Sequence, residues 1–202
     1  MRIYLARHAQ VTSNKKEVNF NNFDESLTDY GKEESKKMAK RLAWVKIDKV
    51  FISNTKRAYE TILPLLELKD IPFQRDERLN EADFGIFNGL TLKEAKQKYP
   101  DVYKRRSKDK YNVRIPKGES YADVALRLSS FFQDLQKGSK KKTFLIVTHA
   151  TVLKVFLIYF LNYSVVKVDS IHFRNTSISI FDFSNKKWSA IKINDYSHLE
   201  QK

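Results

Sequence analysis

The stretch Thr143-Phe144-Leu145-Ile146-Val147-Thr148-His149 decides the fold. Four consecutive apolar residues, β-branched or aromatic save one leucine, are bounded by polar ones. That is the pattern of a strand buried on both faces, as in parallel sheets covered by helices on each side. The run stops at a histidine. A second run does the same: Arg2-Ile-Tyr-Leu-Ala6 reads as a strand and ends at Arg7-His8. A third, Lys49-Val-Phe-Ile52, ends at Ser53 and leads into Lys56-Arg57.

Helical periodicity fills the spaces between these strands. Gly31 to Val45 carries Ser35, Met38, Leu42 and Val45 at spacings of three and four, and Lys56 to Leu66 places Ala58, Ile62 and Leu65 on one face. Ser120 to Leu135 has a continuous apolar stripe that includes Phe131 and Phe132, and Thr151 to Leu161 is apolar almost throughout. Thr91-Leu-Lys-Glu94 fits a capping box, with Pro100 limiting the helix that follows. Ile71 to Arg75 reads as a short strand. Lys104 to Lys117 holds seven basic residues and one acid with no clear period, so it reads as loop, and Lys140 to Lys142 as a charged turn. Ile178 to Phe183 and Trp188 to Ile193 form a hairpin pattern. Strands alternating with helices and then paired in sequence predict a three-layer α/β/α domain, spanning 1–202, with a mostly parallel sheet and an antiparallel edge.

Composition narrows the chemistry. With no cysteine among 202 residues, disulfide scaffolds, thiolate nucleophiles and cysteine-based zinc sites are excluded. No His and carboxylate cluster has metal-ligand spacing, so no metal or other cofactor is expected. The longest strongly apolar run, Val155 to Leu161, is far short of the roughly 18 residues a membrane span needs, and no signal-peptide pattern precedes the first strand. The expectation is a soluble cytoplasmic protein with no membrane partner. The net charge of +14 attracts anions. Nucleic acid is not the expected partner, because exposed aromatics interleaved with the basic residues are missing. The charge alone does not say which anion; with the strand-end residues described next, the expected partner is a small phosphorylated metabolite.

In an open α/β sheet, ligands bind outside the carboxyl ends of the strands. The three strand ends bring Arg7, His8, Arg57 and His149 to one place. Two guanidiniums match the oxygens of a phosphoryl group, and a neutral imidazole between cations is a nucleophile that can accept it. Ala150 offers a backbone N–H at a helix start, a further anion contact.

The order of short blocks resembles the histidine phosphatase superfamily, in the branch shared by phosphoglycerate mutases and small phosphatases. The blocks are Arg7-His8-Ala9-Gln10-Val11-Thr12-Ser13-Asn14, Leu27-Thr-Asp-Tyr-Gly31, Ser53-Asn-Thr-Lys-Arg57-Ala58-Tyr-Glu-Thr61, Leu79-Asn-Glu81-Ala-Asp-Phe84-Gly85-Ile-Phe-Asn-Gly89, Pro116-Lys-Gly118-Glu119-Ser120, Val147-Thr-His149 and Asn175-Thr-Ser177. The resemblance implies a phosphoglycerate mutase-like fold. It also implies a phosphohistidine intermediate on His8, with Glu81 as general acid and base and His149 as a catalytic residue of the phosphate pocket. Arg7, Asn14 and Arg57 are implied to hold the phosphate. Asp83, two residues from Glu81, is expected to support it.

Three residues depart from the family pattern. Ala9 stands for glycine, Gln10 for an acid and Val11 for threonine, the last predicting a lost hydrogen bond near the site. His172 and His198 match nothing catalytic and read as surface residues, His198 with a structural role. The resemblance implies a phosphomonoesterase. The alternatives are a mutase with the same site and a non-catalytic anion binder. Against the mutase stand the short chain and the Glu81 to Gly89 segment, which resembles the small broad-specificity and α-ribazole phosphatases.

Overall fold

A computed structural model describes residues 1–18, 24–138 and 141–200, so Lys140 of the expected charged turn lies outside the described residues. Six strands form one sheet in the order β3-β2-β4-β1-β5-β6. They are β1 (Arg2–Arg7), β2 (Lys49–Ile52), β3 (Phe73–Arg75), β4 (Thr143–Thr148), β5 (Ile178–Ser184) and β6 (Lys187–Asp195). The first four are parallel, with β4 central and in register with both β1 (Leu5 opposite Ile146) and β2 (Phe51 opposite Ile146). β5 runs antiparallel to β1, and β6 antiparallel to β5, which gives the expected mixed edge.

Successive side chains of a strand point to opposite faces, and here both faces are covered. Ile3, Leu5, Phe51, Phe144 and Ile146 pack under α6 (Tyr121–Gln136) and α7 (Ala150–Leu161), where Phe131, Phe132 and Phe156 are fully buried. Ala6, Val50, Ile52, Leu145 and Val147 pack under α2 (Asp29–Leu42) and α3 (Lys56–Leu68), against Met38, Leu42, Ile62 and Leu65. Two covered faces are why the strands read as unbroken apolar runs rather than alternating ones. Each fully buried Leu, Ile or Phe contributes roughly 1.5–3 kcal/mol of burial free energy.

Caps fix where the main helices begin. The Thr28, Thr55 and Ser120 side chains accept from the N–H groups of Gly31, Ala58 and Asp123. The capping box expected at Thr91 and Glu94 opens α4 (Leu92–Lys98). Shorter helices are α1 (Thr12–Lys15), α8 (Val165–Asp169) and α9 (Ser197–Glu200).

The basic stretch is not a loop throughout. Its first part, Lys104 to Lys108, is the second half of α5 (Pro100–Lys108), and Pro100 opens this helix just after α4 ends. Its inward face is only Val102, Tyr103 and Arg106, the first two against a small cluster around Phe87, Ala95 and Ile115. One turn of apolar contact, with arginine in the next inward position, leaves no apolar period to read. His198 is also not a surface residue. It is buried, with Nδ1 accepting from Arg41 at 3.1 Å and Nε2 3.3 Å from Thr176 Oγ1.

Candidate active site

β1, β2 and β4 all end at one edge, and the side chains that follow meet there. His8 and His149 have ring centroids 5.0 Å apart, and Arg57 on the first turn of α3 donates to His149 Nδ1 at 3.3 Å. A cavity of about 440 Å³ opens beside them, lined at this end by Arg7, His8, Asn14, Arg57, Glu81 and Ala150.

The tautomer of His8 follows from its contacts. Nδ1 lies 2.7 Å from the carbonyl of its neighbour Ala9, so Nδ1 carries the proton and Nε2 carries the lone pair. Burial, then the charges of Arg57 and Arg7, push His8 well below the ordinary imidazole value, so it is neutral at neutral pH. The second histidine sits behind the cavity rather than on it. His149 is fully buried, accepts from Arg57 at Nδ1 and donates from Nε2 to Ser53 Oγ at 2.8 Å. Burial and Arg57 keep it neutral too. Both of its nitrogens are thus engaged in holding other groups.

Arg57 is a buried cation and Arg7 a half-buried one. Burial pulls both below the usual arginine range, with Glu81 the largest opposing influence on each. Arg7 Nη1 donates to the Phe173 carbonyl at 2.7 Å, while its buried Nε finds no acceptor among the described residues. A desolvated guanidinium short of acceptors is a site prepared for an anion. Asn14 lines the same end, its Oδ1 accepting from Val11 N at 3.2 Å and from Asn175 Nδ2 at 3.1 Å. Asn175 also donates to the His8 carbonyl at 2.8 Å, tying His8 and Asn14 together.

Glu81 stands across the cavity mouth, where its Oε1 accepts from Ala82 N at 2.8 Å and its Oε2 from Thr151 N at 3.4 Å. Two glycines set its position. A Cβ on Gly85 would lie 2.1 Å from the Pro116 carbonyl oxygen, and one on Gly118 would lie 2.4 Å from the Asp83 carbonyl oxygen. The two blocks therefore lie backbone on backbone, and Gly85 also has φ of +49°. Glu119 ties the segments by taking Asp83 N at 2.9 Å and by pairing with Arg127 at 2.9 Å. Asp83 does not support Glu81. Its carboxylate accepts from Gly85 N and Asn88 Nδ2 and is spent on the turn.

The departures from the family pattern fall behind the cavity. Ala9 and Val11 form a small apolar cluster with Leu27, so Val11 fills space that a hydroxyl would leave unsatisfied. Ala9 has no positive φ and its N–H donates to Thr61 Oγ1 at 2.9 Å. Gln10 lies against Gly31, where a Cβ would sit 2.2 Å from its carbonyl oxygen, which explains the glycine of the Leu27 to Gly31 block.

The resemblance also implies that the basic Lys104 to Lys117 stretch borders the substrate, and Arg106 and Lys110 of that stretch do line the far end of the cavity; Tyr121, Lys154 and Asp169 there were missed. Lys154 had a signal, being the sole charged residue of α7. Asp169, in an unanticipated short helix, had none. Among the described residues no group of three or more His, Cys, Asp or Glu is placed to hold a metal, and no helix is long and apolar enough to cross a membrane.

A buried neutral histidine, a buried arginine, a half-buried arginine and a carboxyl group thus meet at one end of the cavity. The pattern of the histidine phosphatase superfamily (branch 1) matches residues 3–196, and the chain belongs to that family. It is similar to the 6-phosphofructo-2-kinase/fructose-2,6-bisphosphatase of Gallus gallus, 32% identical over 164 residues, covering 80% of this chain and 33% of that protein. The chain thus spans about a third of that relative's length. It is similar to phosphoserine phosphatase 1 of Hydrogenobacter thermophilus, 28% identical over 154 residues, covering 76% and 73% of the two chains. Among solved structures it resembles Bacillus stearothermophilus YhfR, with 27% identity, a TM-score of 0.90 and 98% of each chain covered.

Proposed function

We propose that the protein is a metal-independent phosphomonoester phosphatase working through a phosphohistidine on His8. The observation that carries this reading is the 2.7 Å contact of His8 Nδ1 with the Ala9 carbonyl, which leaves the Nε2 lone pair as the nucleophile beside Arg7 and Arg57. Nε2 attacks phosphorus as the ester P–O bond breaks, and Glu81 gives its proton to the leaving oxygen. Water then attacks the phosphohistidine, giving its proton to the Glu81 carboxylate, and the P–N electron pair returns to Nε2. The guanidiniums of Arg7 and Arg57, with Asn14 and the Ala150 N–H, bear the negative charge of the equatorial oxygens. His149 acts as a positioning residue, orienting Arg57 from behind.

The substrate on this reading is a small phosphorylated metabolite. The relatives' names give fructose 2,6-bisphosphate and phosphoserine, each with an anionic group besides the one phosphoryl group removed. The far end of the cavity, with Arg106, Lys110 and Lys154, suits such a group. The test is His8→Ala. Hydrolysis of p-nitrophenyl phosphate is expected to vanish while the unfolding transition stays; full activity in this variant overturns the reading.

A further inference from the structure

The far end of the cavity contains its own anion. Asp169 closes α8 and faces two lysines, Lys110 in the turn after α5 and Lys154 in α7. Lys110 Nζ is 2.6 Å from its Oδ2, and Lys154 Nζ is 3.5 Å from its Oδ1. Oδ1 is buried and accepts no hydrogen bond among the described residues. The Lys154 ammonium is its charged partner, at an ion-pair rather than a close hydrogen-bond distance. Behind the lysines, Arg106 is buried over the Tyr121 ring, with Nη1 donating to the carbonyls of Lys110 and Val113 at 3.2 and 2.9 Å.

Lys154 shows that these charges are not a solvated surface patch. It is a lone cation in an apolar helix, and burial pulls it below the ordinary lysine value, with Asp169 the main opposing influence. A distal anionic group entering the cavity meets the same two ammonium groups that Asp169 already engages. Its attraction to the lysines and its repulsion from Asp169 both grow with its charge.

Resting on the phosphatase reading above, we propose that Asp169 is a specificity-determining residue. It is an internal counter-anion that shares Lys110 and Lys154 with the substrate's distal group and so ranks substrates by that group's charge. A neutral distal group feels it least, a carboxylate more, and a second phosphate about twice as much as a carboxylate. Asp169 thereby holds down the advantage that the basic pocket would otherwise give to bisphosphates.

The experiment measures binding without turnover, by titration calorimetry on the His8→Ala variant. Three six-carbon ligands differ only at the far end: hexitol 6-phosphate, 6-phosphogluconate and hexitol 1,6-bisphosphate. Adding Asp169→Asn is expected to tighten Kd in a graded way, least for the first, about tenfold for the second and about a hundredfold for the third. Adding Lys154→Gln instead is expected to weaken binding in the same order, and it supplies a second variant should Asp169→Asn fail to fold. A uniform change across the three ligands, no change, weaker bisphosphate binding in Asp169→Asn, or no binding at all overturns the proposal. Hydrolysis of p-nitrophenyl phosphate by the native protein reports on the phosphatase reading separately. Turnover with flat Kd values sinks the Asp169 role alone, and graded Kd values without turnover sink the phosphatase reading alone.

Discussion

Gly118→Ala tests how the fold places Glu81. The added Cβ would meet the Asp83 carbonyl oxygen at 2.4 Å, Gly85 N at 2.6 Å and the Phe84 carbonyl carbon at 3.0 Å, all backbone atoms. Gly85 cannot retreat, because it rests against Pro116 and adopts a positive φ. Relief requires the Glu81 to Gly85 segment to move by ~1 Å, and a misplacement of that size costs on the order of a hundredfold in rate. Overpacking of this kind also costs ~2 kcal/mol of stability. For a chain of this length that lowers Tm by roughly 4–8 °C. Gly138→Ala separates the two effects. There φ is +73° and a Cβ would meet nothing within 4 Å, so that variant loses about 1–2 kcal/mol through backbone strain and keeps full activity. The assay pairs thermal unfolding with kcat on an alkyl phosphate and on p-nitrophenyl phosphate. Gly118→Ala is expected to lose more on the alkyl ester, whose leaving oxygen needs the proton. A stable, fully active Gly118→Ala, or equal loss on both esters, refutes the reasoning.

Two further outcomes follow from the same geometry. Glu81→Gln is expected to lose ~10²–10⁴ in kcat on alkyl phosphates and less on aryl phosphates, measured by phosphate release; equal losses remove Glu81 from the acid role. His198 is pushed down to about 4 by burial and then by Arg41. The unfolded chain therefore binds the extra proton between that value and the ordinary 6.5, and stability is lost as pH falls through this window. Urea unfolding is expected to show the wild type losing stability more steeply than His198→Gln below pH 6.5, with a difference approaching 1.4 kcal/mol per pH unit. Parallel slopes contradict the burial of a neutral imidazole at this position.

The sheet was legible because its central strands are covered on both faces. Val50, Leu145 and Val147 leave no polar position to confuse the reading. The meeting of Arg7, His8 and Arg57 was legible because strand ends must converge in such a sheet, whatever their distance in sequence. What escaped depended on single contacts. α5 buries an arginine where periodicity looks for a leucine, and Asp169 is one acid in a helix of five residues. His198 is buried through pairing with Arg41 and Thr176, partners far from it in sequence. The position of His149 behind the cavity was equally hidden, since spacing brings two histidines together without saying which one faces the ligand.

The central claim is that Nε2 of His8 takes the phosphoryl group. Rapid quench of the protein with a phosphomonoester into base, followed by peptide mapping, measures this directly. The account predicts an acid-labile, base-stable phosphate on the peptide containing His8, at the Nε2 position, formed and discharged at rates consistent with turnover. Turnover with no label on His8, or the label on His149, contradicts it.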